Sequence, residues 1–461
     1  MNYVSTRGQI APIRFKEAVM MGLANDGGLL LPQHIPVISS EILASWQSLS
    51  YRDLAFKIIS IFADDIPPDD LKLLIDRSYD SFDNKEITPL VRENGIYILE
   101  LFHGPTLAFK DVALQFLGNL FEYLLKERGE RMNIVGATSG DTGSAAIYGV
   151  RGKRNINIFI LHPHLKTSPI QALQMTTVTD ANVYNIAVRG TFDDCQNIVK
   201  NLFNDLPFKE QYALGAVNSI NWARVLSQIV YYFYAWFRVK DAGGDNVIFA
   251  VPTGNFGDIF AGYTAKRMGL PIKKLLLATN ENNILTRFVN DGDYSLGDVV
   301  STVSPSMDIQ LASNFERYLY YLYDENPVRV RSAFKQLADT GRILFTIEEL
   351  RRVREDFVSR SVSQQDTLEA IAALHLETGY LLDPHTAVGV SAAMESAEEG
   401  STPVCLATAH PAKFGEAVER ATGVRPPFPP ALAGIDRLPT RCKILDNDTE
   451  RIREFIAKNA R

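Results

Sequence analysis

The stretch Val247-Ile-Phe-Ala-Val-Pro-Thr-Gly-Asn-Phe-Gly-Asp258 reads as a buried strand that runs into a glycine loop and then a helix. The next apolar run, Leu275–Thr279, supplies a second strand. The same order appears earlier. Asn133–Ala137 leads into Thr138-Ser139-Gly140-Asp141-Thr142-Gly143, then a helix of small residues, then the apolar run Ile156–Leu161. Ile96–Leu101, Val183–Val188 and Val404–Ala407 are further strand-like runs. Strand, glycine loop, helix, strand is the pattern of a parallel sheet in an α/β protein. Two such loops far apart predict two α/β lobes with a cleft between them. Helical patterns at 14–24, 41–49, 52–63 and 68–77 predict a mainly helical N-terminal unit over residues 1–90. Residues 91–461 are then the catalytic region, with the smaller lobe at roughly 130–200. Residues 313–376 read as mostly helical, and 449–459 as a charged terminal helix.

The chain has 461 residues, enough for about three folded units at roughly 150 residues each. Hydrophobic residues make up 46% and charged residues 22%, which argues against wholesale disorder. Lys plus Arg is 47 and Asp plus Glu is 54, so the net charge is 47 − 54 = −7. Without a basic excess there are few counterions to release, which argues against a general nucleic-acid binder. Cys195, Cys405 and Cys442 are widely spaced and form no CxxC pair, as expected in a reducing compartment. The N-terminus lacks the apolar core of a signal peptide. The apolar run Ile229–Phe237 is too short to cross a bilayer. The expected location is the cytoplasm, with no membrane partner.

A loop between a strand and a helix presents backbone N–H groups at the positive end of the helix dipole, where anions bind. Glycines at 254 and 257 remove Cβ atoms, so a phosphate can come close. A lone GxxG is more often a plain turn. The loop at 138–143 adds three hydroxyls, Thr138, Ser139 and Thr142, suited to a carboxylate or phosphate. Neither loop is GK[ST]-terminated or GxGxxG, so a phosphate-bearing ligand other than a nucleotide fits better. Lys110 opens a helix over about 111–126. The helix dipole and the neighbouring Ala108 and Phe109 would favour its neutral amine, the form that attacks a carbonyl to make a Schiff base. On this segment alone, an exposed lysine paired with Asp111 is the simpler reading.

Several ordered motifs together change that weighting. His103-Gly-Pro-Thr-Leu-Ala-Phe-Lys110-Asp resembles the pyridoxal-phosphate lysine segment of threonine synthases. Ser139-Gly-Asp-Thr-Gly resembles their substrate loop, and Gly254-Asn-Phe-Gly-Asp258 their cofactor-phosphate loop. Asn218-Ser-Ile-Asn-Trp-Ala-Arg224, Ser304-Pro-Ser-Met-Asp308, Asp383-Pro-His-Thr-Ala387 and Ala407-Thr-Ala-His-Pro-Ala-Lys413 extend the likeness, which begins at Ser5-Thr-Arg-Gly8. The longer variant of many bacteria and fungi is the one resembled.

The resemblance implies the tryptophan-synthase-β-like fold, two α/β lobes around a pyridoxal 5'-phosphate cleft. It implies conversion of O-phospho-L-homoserine and water to L-threonine and phosphate, the last step of threonine biosynthesis, by a monomer or homodimer. Lys110 would carry the Schiff base. Gly254, Asn255, Phe256 and Gly257 would hold the cofactor phosphate, with Asp258 closing the loop. Thr408 would face the pyridine nitrogen, and Ser139, Asp141 and Thr142 the substrate or ring. Relatives often carry Asn where Asp141 stands. Lys166, Arg189 and Arg224 are candidates for the departing phosphate, unranked by sequence.

A phosphohomoserine phospholyase and a serine or threonine dehydratase are alternatives on the same scaffold, and a non-catalytic ligand sensor is an alternative from another class. His162-Pro-His164 lacks an acidic or cysteine cluster beside it and reads as loop, so no metal is expected. His103 reads either as a site residue or as the partner of a carbonyl. The aromatic run from Tyr231 to Phe237 reads as helix packing, and Cys195 as a helix-face cysteine.

Overall fold

The computed structural model describes residues 1–138, 140–396 and 400–460. These fall into two compact units, one of Met1–Ile75, Asn84–His103 and Ser219–Pro426, the other of Asp76–Asp83, Gly104–Asn218 and Pro427–Arg461.

The first unit is built on a six-stranded sheet. Its order is Phe357–Ser361, Lys274–Thr279, Val247–Pro252, Thr402–Ala407, Ile96–Glu100, Leu90–Glu93. Every neighbouring pair is parallel except the last. Val251 pairs with Leu277, and Phe249 with Val404. All six residues of Val247–Pro252 are buried, so the strand reads as a continuous apolar run instead of alternating. The helix Pro384–Ser396 lies close enough that a Cβ on Gly389 would stand 2.7 Å from Cys405 Sγ. Residues 313–376 are mostly helical, as expected, with the strand Phe357–Ser361 among the helices. It is five residues long with two serines and an arginine, a weak apolar signal.

The N-terminal stretch has helices at Phe15–Met21, Ser40–Trp46 and Tyr51–Phe62, and also a small antiparallel sheet. In that sheet Asn2–Ser5 lies between Ile13–Arg14 and Leu30–Pro32. The first helix stops at Met21 because Gly22 takes φ +66° and donates its N–H to Ala18 O. Tyr3 and Phe62 pack on Trp222 with ring centroids 6.2 and 5.9 Å away. Through residue 75 this stretch therefore shares a core with the large sheet's unit.

The second unit has five parallel strands in the order Lys443–Asp446, Val183–Arg189, Ile156–Pro163, Met132–Ala137, Leu214–Gly215. The C-terminal helix Thr449–Asn459 buries Ile452 and Ile456 in this unit's core. The helices Lys110–Arg128 and Asp141–Val150 meet backbone to backbone. A Cβ on Gly118 would stand 2.0 Å from Gly149 O, and one on Gly149 would stand 2.5 Å from Leu114 O. Lys110 precedes Gly118 by 118 − 110 = 8 residues, and Asp141 precedes Gly149 by 149 − 141 = 8. Equal offsets from one contact set the first residues of the two helices side by side.

Gly118→Ala should therefore lower the thermal unfolding midpoint, because the obstacle is backbone and cannot rotate away; overpacking of this kind costs about 1–3 kcal/mol. Gly136→Ala, whose new Cβ would find its nearest atom at 3.5 Å, is the control and should leave the midpoint nearly unchanged. Equal midpoints for the two variants would refute the close contact.

Candidate active site

Lys110 is the first residue of its helix and is nearly buried, at 9% exposure. Its Nζ lies 3.6 Å from Asp141 Oδ2 and 5.0 Å from the centre of the Phe109 ring. The exposed-lysine alternative does not hold. Asp111 instead braces the turn, accepting from Thr106 N–H at 2.8 Å and Thr106 Oγ1 at 2.7 Å. Gly104 is needed because a Cβ there would stand 2.4 Å from Asp111 Cβ. Leu107 takes φ +60°, and its N–H donates to Gly104 O at 3.0 Å. The motif from His103 to Asp111 is thus a braced turn that delivers one amine.

Asp141 is held from its other oxygen. Gln171 Nε2 donates to Asp141 Oδ1 at 2.7 Å, and Ser168 Oγ donates to Gln171 Oε1 at 2.9 Å. Gly140 fits only as glycine, since a Cβ there would stand 2.5 Å from Gln171 Oε1. Thr138 Oγ1 accepts from the N–H groups of Gly140 at 3.0 Å and Gly143 at 2.9 Å, fixing the loop. Thr142 is half-buried in the first turn of the following helix. Ser139 lies outside the described residues.

In the other unit, residues 253–256 link Val247–Pro252 to the helix Gly257–Arg267. Phe256 takes the left-handed conformation, φ +61°, a strained choice for a side chain. Its buried ring compensates, packing against Phe315, Tyr318 and Phe357 at 5.6, 5.9 and 5.8 Å. A Cβ on Gly254 would stand 2.9 Å from Ser306 O, and one on Gly257 would stand 3.2 Å from Asn314 Nδ2. Asn255 O accepts from Asn314 N–H and Nδ2, both at 3.0 Å. The loop carbonyl is thereby occupied, while the first N–H groups of the helix have no intrahelical acceptor. Such a cradle fits a phosphate.

Asp258 stands in the first turn of the helix Gly257–Arg267. It is buried, and its Oδ1 accepts from the hydroxyls of Tyr231 and Tyr232, the latter at 2.9 Å. Among the described residues its Oδ2 has no partner. Burial pushes its carboxyl up to about 6, against the lowering pull of the two hydroxyls. The aromatic run read as packing therefore also carries two hydroxyls that anchor this helix.

Thr408 follows the strand Thr402–Ala407 and is buried at its end. Its N–H donates to Thr386 Oγ1 at 3.1 Å, and Thr386 donates to Asp383. Asp383 Oδ1 lies 2.8 Å from His385 Nδ1, and Ser306 N–H donates to His385 Nε2 at 3.1 Å. Since Nε2 accepts, Nδ1 carries the proton and donates to Asp383. Ser306 is the residue whose carbonyl abuts Gly254. One chain of contacts thus runs from the phosphate cradle to Thr408. Sequence reasoning quoted Ser306, Asp383, His385 and Thr386 within motifs but gave them no role; those motifs were their signal.

The other residues weighed fall outside these arrangements. His103 Nε2 lies 2.8 Å from Glu100 Oε2, and the His103 ring stacks on Phe102. His162 is buried with Nε2 3.7 Å from Cys442 Sγ, and among the described residues no group of three or more His, Cys, Asp or Glu is arranged to hold a metal. Burial pushes the Cys195 thiol up to about 11, which suits packing and not nucleophilic attack.

The raised Asp258 carboxyl has a consequence for stability. Its folded pKa of about 6 exceeds the ordinary 3.8, so the folded state holds the proton more tightly than the unfolded state. The contribution is full below pH 3.8 and is lost as pH rises through about 6. It amounts to at most about 3 kcal/mol. Asp258→Asn should flatten the dependence of the urea midpoint on pH across that window, and an unchanged slope would exclude Asp258 as the titrating group.

Comparison with known proteins matches these features to one family. Residues 2–79 match the family model for the threonine synthase N terminus, residues 83–346 that for pyridoxal-phosphate dependent enzymes, and residues 386–456 that for the threonine synthase C-terminal region. The threonine synthase of Schizosaccharomyces pombe is 48% identical over 91% of this chain and 89% of that protein. That of Pseudomonas aeruginosa is 46% identical over 100% of this chain and 98% of its own. The crystal structure of a PLP-bound threonine synthase from Brucella melitensis matches with a TM-score of 0.97 at 44% identity, over 100% of both chains. The chain belongs to the threonine synthase family of pyridoxal-phosphate-dependent enzymes.

Proposed function

We propose that this enzyme converts O-phospho-L-homoserine and water to L-threonine and phosphate. The observation that carries the reading is the buried Lys110 amine, 3.6 Å from the Asp141 carboxylate, on a chain of this family. The glycine cradle at 254–257 fits the phosphate of pyridoxal 5'-phosphate, and the amine of Lys110 fits its aldehyde. When bound, the cofactor supplies an electron sink for negative charge developing on the substrate next to its amino group.

The residues have separable tasks. Lys110 Nζ would hold the cofactor by its aldehyde, and as a free amine would take the proton from the substrate Cα and return protons to the neighbouring carbons. Asp141 holds the ammonium form of Lys110 in place after each proton uptake, itself held by Gln171. Gly254, Asn255, Phe256 and Gly257 hold the phosphate through N–H groups, and Asp258 anchors their helix on Tyr231 and Tyr232. Thr408 offers the pyridine nitrogen a hydroxyl, which adds no charge. Ser139 and Thr142 address the substrate carboxylate. We place the enzyme in the cytoplasm: Cys195, Cys405 and Cys442 are free thiols, and among the described residues no helix is long and apolar enough to cross a membrane.

The test is a product assay on cofactor-loaded protein supplied with O-phospho-L-homoserine. Threonine and phosphate should form in equal amounts. Phosphate accompanied by 2-oxobutyrate would overturn the reading in favour of a phospholyase. Lys110→Ala should lose the visible absorbance of lysine-bound cofactor and drop in rate on the order of 10²–10⁴-fold.

A further inference from the structure

The free thiols are treated differently by the fold. Cys195 and Cys405 are sealed in cores, whereas Cys442 is exposed. Cys442 belongs to the second unit and stands one residue before the strand Lys443–Asp446. Its Sγ lies 3.7 Å from Nε2 of His162, near the end of the strand Ile156–Pro163. His162 is 5% exposed, and among the described residues its Nδ1 has no partner. A buried polar atom left unpaired costs about 1–3 kcal/mol, so packing alone does not account for this imidazole. Burial holds it below the ordinary imidazole pKa, so it is neutral at pH 7. A neutral ring whose Nε2 faces a thiol can take the thiol's proton. Burial also pushes the Cys442 thiol up, so at neutral pH its sulfur needs such an acceptor before it can attack.

The pair opens on a cavity of about 500 Å³. His162, Leu165, Ala172, Thr440, Cys442 and Ile444 line it, and among the described residues no Asp, Glu, Lys or Arg does. Leu165 and Ile444 are exposed, so solvent reaches it. It lies at the carboxyl end of Ile156–Pro163, the side of a parallel sheet on which ligands bind. A small molecule seated there meets apolar walls, no fixed charge and one sulfur with a base beside it.

We propose that Cys442 is a thiol–disulfide exchange site for a low-molecular-weight disulfide with uncharged substituents, the retained half seated in this cavity. Cys442 Sγ attacks one sulfur of the disulfide while His162 Nε2 takes the thiol proton. A new S–S bond forms as the old one breaks, and the departing sulfur leaves as a thiol carrying that proton. Cys442 is oxidised and the departing sulfur reduced, so no further oxidant is needed. In a reducing compartment the cap is transient. The exchange is independent of the reaction proposed above.

The test is mass measurement with peptide mapping on cofactor-loaded protein incubated with bis(2-hydroxyethyl) disulfide. One hydroxyethylthio group per chain should attach, on Cys442, and dithiothreitol should remove it. Cys442→Ser should take none, at an unchanged thermal midpoint. Ala172→Trp fills the cavity from its wall, and Thr440→Trp does so from an exposed position. Each should slow attachment at least tenfold, with the rate on urea-unfolded protein unchanged. His162→Gln should slow it at least fivefold by the same comparison. Attachment to Cys195 or Cys405 in the folded protein, or no attachment to the folded protein, would overturn the inference. So would a rate that both tryptophans, or the loss of the imidazole, leave unchanged, since Cys442 would then react as any exposed thiol.

Discussion

The contact between Gly118 and Gly149 sets the geometry of the lysine. Two helices touch there with no side chain between them, and each projects eight residues back to a charged first residue. Packing deep in the unit thereby fixes an ion pair at its helix ends. The turn before Lys110 and the loop before Asp141 add only local bracing, from Asp111 and Thr138 respectively. An amine required to gain and lose protons at defined atoms needs such a rigid support, because small misplacements cost rate steeply.

The phosphate cradle obeys a different constraint. Its glycines are crowded by neighbours, Ser306 behind Gly254 and Asn314 behind Gly257. Phe256 is held in a left-handed conformation by three aromatic rings. The carboxylates nearby act inwardly. Asp258 holds a helix through two tyrosines, and Asp383 orders His385 and Thr386, which in turn fix Ser306 and Thr408. Most of the polar residues around the candidate site position other residues and leave the chemistry to a few atoms.

The readable part of the sequence was local. Buried parallel strands such as Val247–Pro252 and Ile156–Pro163 announce themselves as apolar runs, and glycine loops mark their ends. The helix at 449–459 was legible from its charge and ends. Short strands that are exposed or half polar were not. Lys443–Asp446 joins Val183–Arg189 across some 250 residues of chain and is largely exposed, so neither composition nor alternation marks it. Phe357–Ser361 is short and half polar. The lysine and the glycine cradle were visible as motifs, whereas the ties through His385 and Asn314 depend on side chains that meet only in the folded chain.

The equal spacing from the glycine contact also limits how this chain can vary in length. A helix advances about 1.5 Å and turns about 100° with each residue. One residue gained or lost between Lys110 and Gly118 would swing the amine to another face of its helix, and the same change between Asp141 and Gly149 would turn the carboxylate away. The two intervals are rulers cut to one length. Insertions in the loops on either side of these helices leave both intervals intact, whereas one inside either interval turns its charged residue away from the other.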